Sequence, residues 1–142
     1  INKVPGPKTG AVSEDCLYLN VFAPLNPREK NLPVLVWFHG GGFTSGSSNI
    51  PIYDGEYVVK TRDVVVVTIN YRLGAFGYLG SDRLRSRDPK GSTGNYGLQD
   101  QNFALFWVQR NIHLFGGNPE QVLIFGESAG GARLLLLFFE TK

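Results

Sequence analysis

Apolar residues in this chain gather in several short runs bounded by glycine, proline and asparagine, the spacing of buried strands. The run Val34-Leu35-Val36-Trp37-Phe38 reads as one strand, and residues 64–69, with four consecutive valines, read as another. Residues 17–22 alternate enough for a strand that Pro24, Asn26 and Pro27 end as a turn. Gln121-Val122-Leu123-Ile124-Phe125 predicts a further, buried strand. Between these lie a Gly/Ser/Pro-rich loop over residues 42–55, a short helix from Glu56 to Lys60, and a long irregular surface excursion over 74–94. Asn95 is placed to cap a helix running to about Ile112, in which Phe103, Phe106, Trp107 and Ile112 fall near a 3.6-residue period and read as core. Gly116-Gly117-Asn118-Pro119 stops that helix. Residues 132–139 predict a last helix, apolar on every face, which expects cover on all sides. Strand, helix and strand in alternation predict an α/β architecture without repeats, linkers or a second domain.

Composition narrows the function. A chain of 142 residues can bury a reasonable core, but it is short for an α/β sheet carrying a capped site, and so reads as a fragment. With a net charge of +2, and no basic cluster larger than Arg83-Leu84-Arg85-Ser86-Arg87, no nucleic-acid partner is implied. The apolar runs fall far short of the ~20 residues that span a bilayer, so no transmembrane helix is expected. Ile1-Asn2-Lys3-Val4-Pro5-Gly6 lacks both an initiator methionine and a signal peptide's apolar stretch, which reads as a mature or truncated start. Two histidines and one cysteine are too few for a zinc site, and no cofactor is called for. Cys16 alone cannot close an internal disulfide.

Candidate chemistry sits in two glycine motifs. Gly126-Glu127-Ser128-Ala129-Gly130-Gly131 places a serine on a sharp strand-to-helix turn, where strained backbone at the serine calls for neighbours without Cβ. His39-Gly40-Gly41-Gly42-Phe43 follows a strand and leaves backbone N–H groups unshielded. Such amides, with that of Ala129, suit a developing oxyanion, each donor contributing roughly 3 kcal/mol to lowering a barrier. A phosphate cradle does not fit, because no Gly-Lys-Ser/Thr follows and Lys90-Gly91-Ser92 has the wrong order. A serine hydroxyl also needs a histidine base and an acid to orient it, and in this arrangement they follow the serine in the chain. After Ser128 there is one acid, Glu140, and no histidine. His113 reads as a surface or capping residue at a helix end.

These motifs, with Ser13-Glu14-Asp15-Cys16-Leu17-Tyr18-Leu19-Asn20-Val21, Asn70-Tyr71-Arg72-Leu73-Gly74-Ala75-Phe76-Gly77 and Gly94-Asn95-Tyr96-Gly97-Leu98-Gln99-Asp100-Gln101, stand in the order of the type-B carboxylesterase/cholinesterase family, which the chain resembles from about Val4 to Gly131. The resemblance implies a partial α/β-hydrolase fold and a serine carboxylic-ester hydrolase acting through an acyl-enzyme, with a small-molecule ester as partner. Ser128 would be the nucleophile, with Gly41, Gly42 and Ala129 as the oxyanion hole. His39 would support the glycine loop, Glu127 would tune the serine or be structural, and Arg72 and Asp100 would pair as a salt bridge. Triad acid and histidine lie far downstream in the family. Residues 1–142 are thus expected to be a domain truncated before them, and essentially inactive alone, since losing the base costs about 10⁶ in turnover. The resemblance also implies that Cys16 pairs with an upstream cysteine in a secreted protein, and that Glu14 has an upstream arginine partner. Two other readings stand beside it: a non-catalytic adhesion module of the same fold, which typically lacks the nucleophile, and a truncated product without a function of its own. Carboxylesterase, cholinesterase, lipase and hormone esterase are not separated by this segment.

Overall fold

A computed structural model describes residues 13–132. Strand β1 is Leu19–Phe22 and β2 is Leu32–Phe38; a 3-10 turn, Pro51–Tyr53, and helix α1, Glu56–Thr61, lead to β3, Val65–Ile69. Helices α2, Gly74–Tyr78, and α3, Asp82–Arg85, precede the long helix α4, Tyr96–Asn111; a second 3-10 turn, Ile112–Phe115, leads to β4, Gly117–Gly126. The strands form one sheet in the order β1-β3-β2-β4, with β2 parallel to both β3 and β4, and β1 antiparallel to β3. Helices between parallel strands are what such crossovers require.

The core follows from strand composition. β3 is buried along its whole length, and Val34, Val36 and Phe38 of β2 turn the same way into the cluster with Tyr71, Leu98, Val108 and Ile112. Each such side chain contributes on the order of 1.5–3 kcal/mol when fully buried. β2 begins at Leu32, two residues before the expected start, because the Leu32 N–H donates to the Gly116 carbonyl at 2.8 Å and Leu32 pairs with Gly117. Pro33 then sits at an exposed position beside a register shift, where its missing N–H is tolerated.

Several expectations are corrected. The irregular excursion over residues 74–94 contains α2 and α3. In α4 the buried residues are Gly97, Leu98, Gln101 and Val108, while Phe103 and Phe106 are 74% and 65% exposed, so only Trp107 and Ile112 of the four expected core residues pack against the core. The helix has apolar residues on more than one side, and packing selects the 98/101/108/112 stripe. Asn95 occupies the N-cap position, but its side chain makes no capping bond; Gln99 N–H reaches its backbone carbonyl instead. β4 is longer than the five-residue strand expected, and it is half-buried rather than buried: among the described residues it pairs only with β2, and Leu123 is 60% exposed. The apolar run expected to be helical over residues 132–139 lies, past Ala132, outside the described residues.

A charged clamp ties α4 to the end of β3. Asp100 accepts from the Arg72 backbone N–H at 3.0 Å and from Nε and an Nη of the guanidinium at 2.8 Å each, and Arg72 Cζ lies 5.3 Å from the Tyr96 ring centre. These bonds to Asp100 raise the Arg72 pKa above its ordinary value, against the opposing effect of burial. Arg72→Ala leaves the carboxylate of Asp100, 7% exposed, without its partner. The expected cost is about 2 kcal/mol, below the ~3–5 of fully buried pairs because the guanidinium is partly solvated. Arg72→Lys should recover only part of it, since an ammonium cannot reproduce the fork. Urea midpoints of the two variants check this; equal midpoints for Arg72→Ala and the unaltered chain would discard it.

Candidate active site

The two glycine motifs leave neighbouring parallel strands at the same level, since Phe38, the last residue of β2, pairs with Gly126, the last of β4. The loop after one strand therefore meets the turn after the other, outside the carboxyl ends where sites form in α/β sheets. Ser128 is exposed and has φ 51°, in the left-handed region that a side chain rarely adopts. Helix begins directly after it, over residues 129–132, with Gly130 N–H on the Glu127 carbonyl at 2.9 Å and Ala132 N–H on the Ser128 carbonyl at 2.9 Å.

The glycines have two different causes. Gly126, Gly130 and Gly40 have no positive φ; they are small because backbones nearly touch. A Cβ on Gly126 would lie 2.8 Å from the Phe38 carbonyl oxygen, and one on Gly130 would lie 2.7 Å from that of His39. One on Gly40 would lie 2.9 Å from the Glu127 carbonyl oxygen and 3.2 Å from Ser128 Cβ, which seats the glycine loop against the serine. Strain at the turn is thus carried by Ser128 itself, and its flanking glycines answer close approach. Gly41 and Gly42, with φ 113° and 60°, need glycine for conformation.

Trans peptide geometry orients the loop's amides, because a carbonyl and the next N–H point in opposite directions. His39 Nδ1 donates to the Gly40 carbonyl at 2.8 Å, so the Gly41 N–H faces away from the imidazole. The Gly41 carbonyl accepts from Thr44 N–H and Ser45 N–H at 3.1 Å each, and from Ser45 Oγ at 3.2 Å, so the Gly42 N–H faces out of the turn. The Ser128 carbonyl is taken by Ala132, so the Ala129 N–H faces back from the helix. Among the described residues no acceptor takes the N–H of Gly41, Gly42 or Ala129.

His39 is 1% exposed, and its ring stacks on Tyr71 with centres 4.4 Å apart. With Nδ1–H donating, Nε2 is buried without a partner among the described residues. Burial lowers the His39 pKa, outweighing the Gly40 hydrogen bond and the negative charge of Glu127. A folded value below the ordinary 6.5 means the unfolded chain binds the proton first. Stability from neutral His39 is therefore intact above pH ~6.5 and is lost as pH falls from there towards the folded value, at up to about 1.4 kcal/mol per pH unit. His39→Asn, which keeps a donor for Gly40, is expected to flatten that slope. Denaturation midpoints from pH 7.5 to 5 measure it, and an unchanged slope would reject the assignment.

His113 is exposed and precedes β4, whereas Ser128 follows it; ten strand residues, about 30 Å, separate the two ends. Neither described histidine is placed to take a proton from Ser128. Sequence reading missed Tyr53, whose hydroxyl donates to Glu127 Oε2 at 3.1 Å across 74 positions. Its ring lies 5.0 Å from that of Trp37, which in turn lies 4.9 Å from Phe125, so β2, β4 and the intervening loop hold it. Burial, then Glu127, raises the Tyr53 pKa. No local signal marks such a long-range pair. Among the described residues no cluster of His, Cys, Asp and Glu could hold a metal, and no helix is long and apolar enough to cross a membrane.

Known proteins resemble this chain in sequence and in fold. The chain is 60% identical over 121 residues to an acetylcholinesterase of Danio rerio, covering 85% of this chain and 18% of the relative. It is 48% identical to a fumonisin B1 esterase of Sphingopyxis macrogoltabida, covering 93% of this chain and 24% of that one. A solved PNB esterase superposes with a TM-score of 0.80 at 49% identity, over 92% of this chain and 27% of its own. The chain therefore spans about a fifth to a quarter of the length of these relatives, and its sheet is part of their α/β-hydrolase fold. The family model described as "Carboxylesterase family" matches residues 2–142, and the chain belongs to the carboxylesterase family.

Proposed function

We propose that these residues are the nucleophile-bearing part of a serine hydrolase of carboxylic esters. Ser128 Oγ attacks the ester carbonyl, and its proton passes to a base. The carbonyl π pair becomes an oxyanion held by the N–H groups of Gly41, Gly42 and Ala129; collapse expels the alcohol and leaves an acyl-serine that water cleaves. No metal or organic cofactor enters this scheme. The observation that carries the reading is the left-handed, exposed Ser128 packed against Gly40, next to amides that no acceptor among the described residues takes. His39 and Glu127 support the loop and the elbow, and the Arg72–Asp100 clamp supports the sheet end.

The base and its acid belong, in this reading, to a longer polypeptide of the relatives' length. The 142-residue chain alone is proposed to be essentially inactive. An adhesion module of the same fold is disfavoured by the retained serine and the open amides. Half-buried Cys16 and the family support a secreted setting, with Cys16 as one half of a disulfide. Incubation with a fluorophosphonate probe, followed by peptide mapping, tests the assignment. Ser128 is expected to be labelled rapidly in a longer, ester-cleaving polypeptide and barely in residues 1–142. Turnover with the label on any other serine would overturn it.

A further inference from the structure

We propose that Asn20 and Asn70 are positioning residues for the glycine turn, anchoring the far side of the loop that begins at Gly42. The inference rests on the reading of Ser128 and of the loop amides above. The near side of that turn is held by His39 and by its own bonds to the Gly41 carbonyl, but an oxyanion site also needs the returning chain fixed, or the amides swing with it. The return is held from two strands. Gly74 N–H donates to the Phe43 carbonyl at 2.6 Å. Ser48, 4% exposed, donates its N–H to Asn70 Oδ1 at 2.8 Å, with Ser47 Oγ on the same oxygen at 3.5 Å. From the other side, Asn20 Nδ2 faces Ser48 Oγ at 3.3 Å, Asn49 Oδ1 at 3.3 Å and Thr68 Oγ1 at 3.0 Å.

Both asparagines stand on rigid backbone. Asn20 pairs with Thr68 between β1 and β3, and Asn70 follows β3, with its N–H on the Tyr18 carbonyl at 2.9 Å. The loop they hold packs directly on the site, since a Cβ at Gly46 would lie 2.7 Å from His39 Cε1 and 2.5 Å from the Gly40 carbonyl oxygen. The network assigns the two side chains opposite roles: Asn70 serves as an acceptor, Asn20 as a donor. A carboxylate of the same shape can therefore replace Asn70; at Asn20 it can still accept from the Ser48 and Thr68 hydroxyls and loses only the bond to Asn49 Oδ1, so an apolar side chain is what removes that anchor.

Hydrogen exchange on the ¹⁵N-labelled chain reads this without relying on catalysis. In Asn70→Leu the amides of Ser48, Thr44 and Ser45 should exchange about tenfold faster or more, because a buried N–H loses its partner. Asn70→Asp should stay within about threefold of the unaltered chain, and Asn20→Leu should behave like Asn70→Leu. Protection of the β3 amides in each variant controls for global unfolding. Should Asn70→Leu fail to fold, Asn20→Leu still reads the same loop from the other strand. Unchanged loop exchange in Asn70→Leu or in Asn20→Leu would overturn the proposal. In a longer, ester-cleaving polypeptide Asn70→Leu should lower kcat about tenfold with KM little changed, and Asn70→Asp should restore it; loss of KM instead would count against positioning. Absence of phosphonate labelling at Ser128 alongside the expected exchange pattern would sink the hydrolase reading and leave the anchor in place.

Discussion

Gly130→Ala is expected to destabilise the chain by about 3 kcal/mol or more, while Gly131→Ala, one residue on, changes stability by less than about 1 kcal/mol. The added methyl at Gly130 meets backbone on two sides, overlapping the Phe38 carbonyl oxygen and lying 2.7 Å from that of His39. Backbone at a strand end cannot rotate away as a side chain can, so the elbow must lift off β2. Overpacking typically costs ~1–3 kcal/mol, and the absence of any yielding neighbour puts this position at or above the upper end. At Gly131 the nearest atom is the Gly126 carbonyl oxygen at 3.0 Å and the next lies at 3.5 Å, so a small adjustment suffices. There the helical preference of alanine, up to ~1 kcal/mol, offsets it. Paired urea denaturation curves make the comparison, and equal midpoints for the two variants would show that close approach does not dictate the glycine.

The same contrast explains what could be read from the chain. Runs of β-branched residues expose strands directly, because Val65–Ile69 can be nothing but a buried strand once helix length is ruled out. Helix α1 was likewise legible from its breakers. The phase of α4 was not, because it carries aromatic residues on the side away from the sheet and a fully buried Gln101 on the side towards it. Which stripe is buried depends on what packs there, and the same holds for β4, which has one neighbouring strand rather than two among the described residues. Both glycine motifs announce themselves locally, but their meeting depends on the Phe38–Gly126 register, a pairing across 88 positions of chain. The pairing of Tyr53 with Glu127, and of Asn20 with Ser48, is of this kind too: ordinary residue types whose roles appear only when distant segments are brought together.

Hydrolysis of a p-nitrophenyl ester by residues 1–142 is expected to run about 10⁶-fold below that of a longer polypeptide that supplies the histidine and acid, a gap of roughly 8 kcal/mol in barrier. The size follows from what each part does. Oxyanion amides stabilise charge only once it forms, and a neutral serine hydroxyl forms it slowly unless its proton leaves in the same step. His39 cannot remove that proton: its Nδ1–H is committed to Gly40, its Nε2 is buried, and its ring is held on Tyr71. His113 stands at the opposite end of β4. Because nucleophile and base act as a unit, Ser128→Ala in the longer polypeptide should fall to about the same residual rate as one lacking the histidine, and the double change should cost little more. Fast turnover by residues 1–142 would mean that a proton acceptor exists in this chain which the positions of His39 and His113 do not provide, whereas persistent turnover in Ser128→Ala would remove the serine from the chemistry altogether.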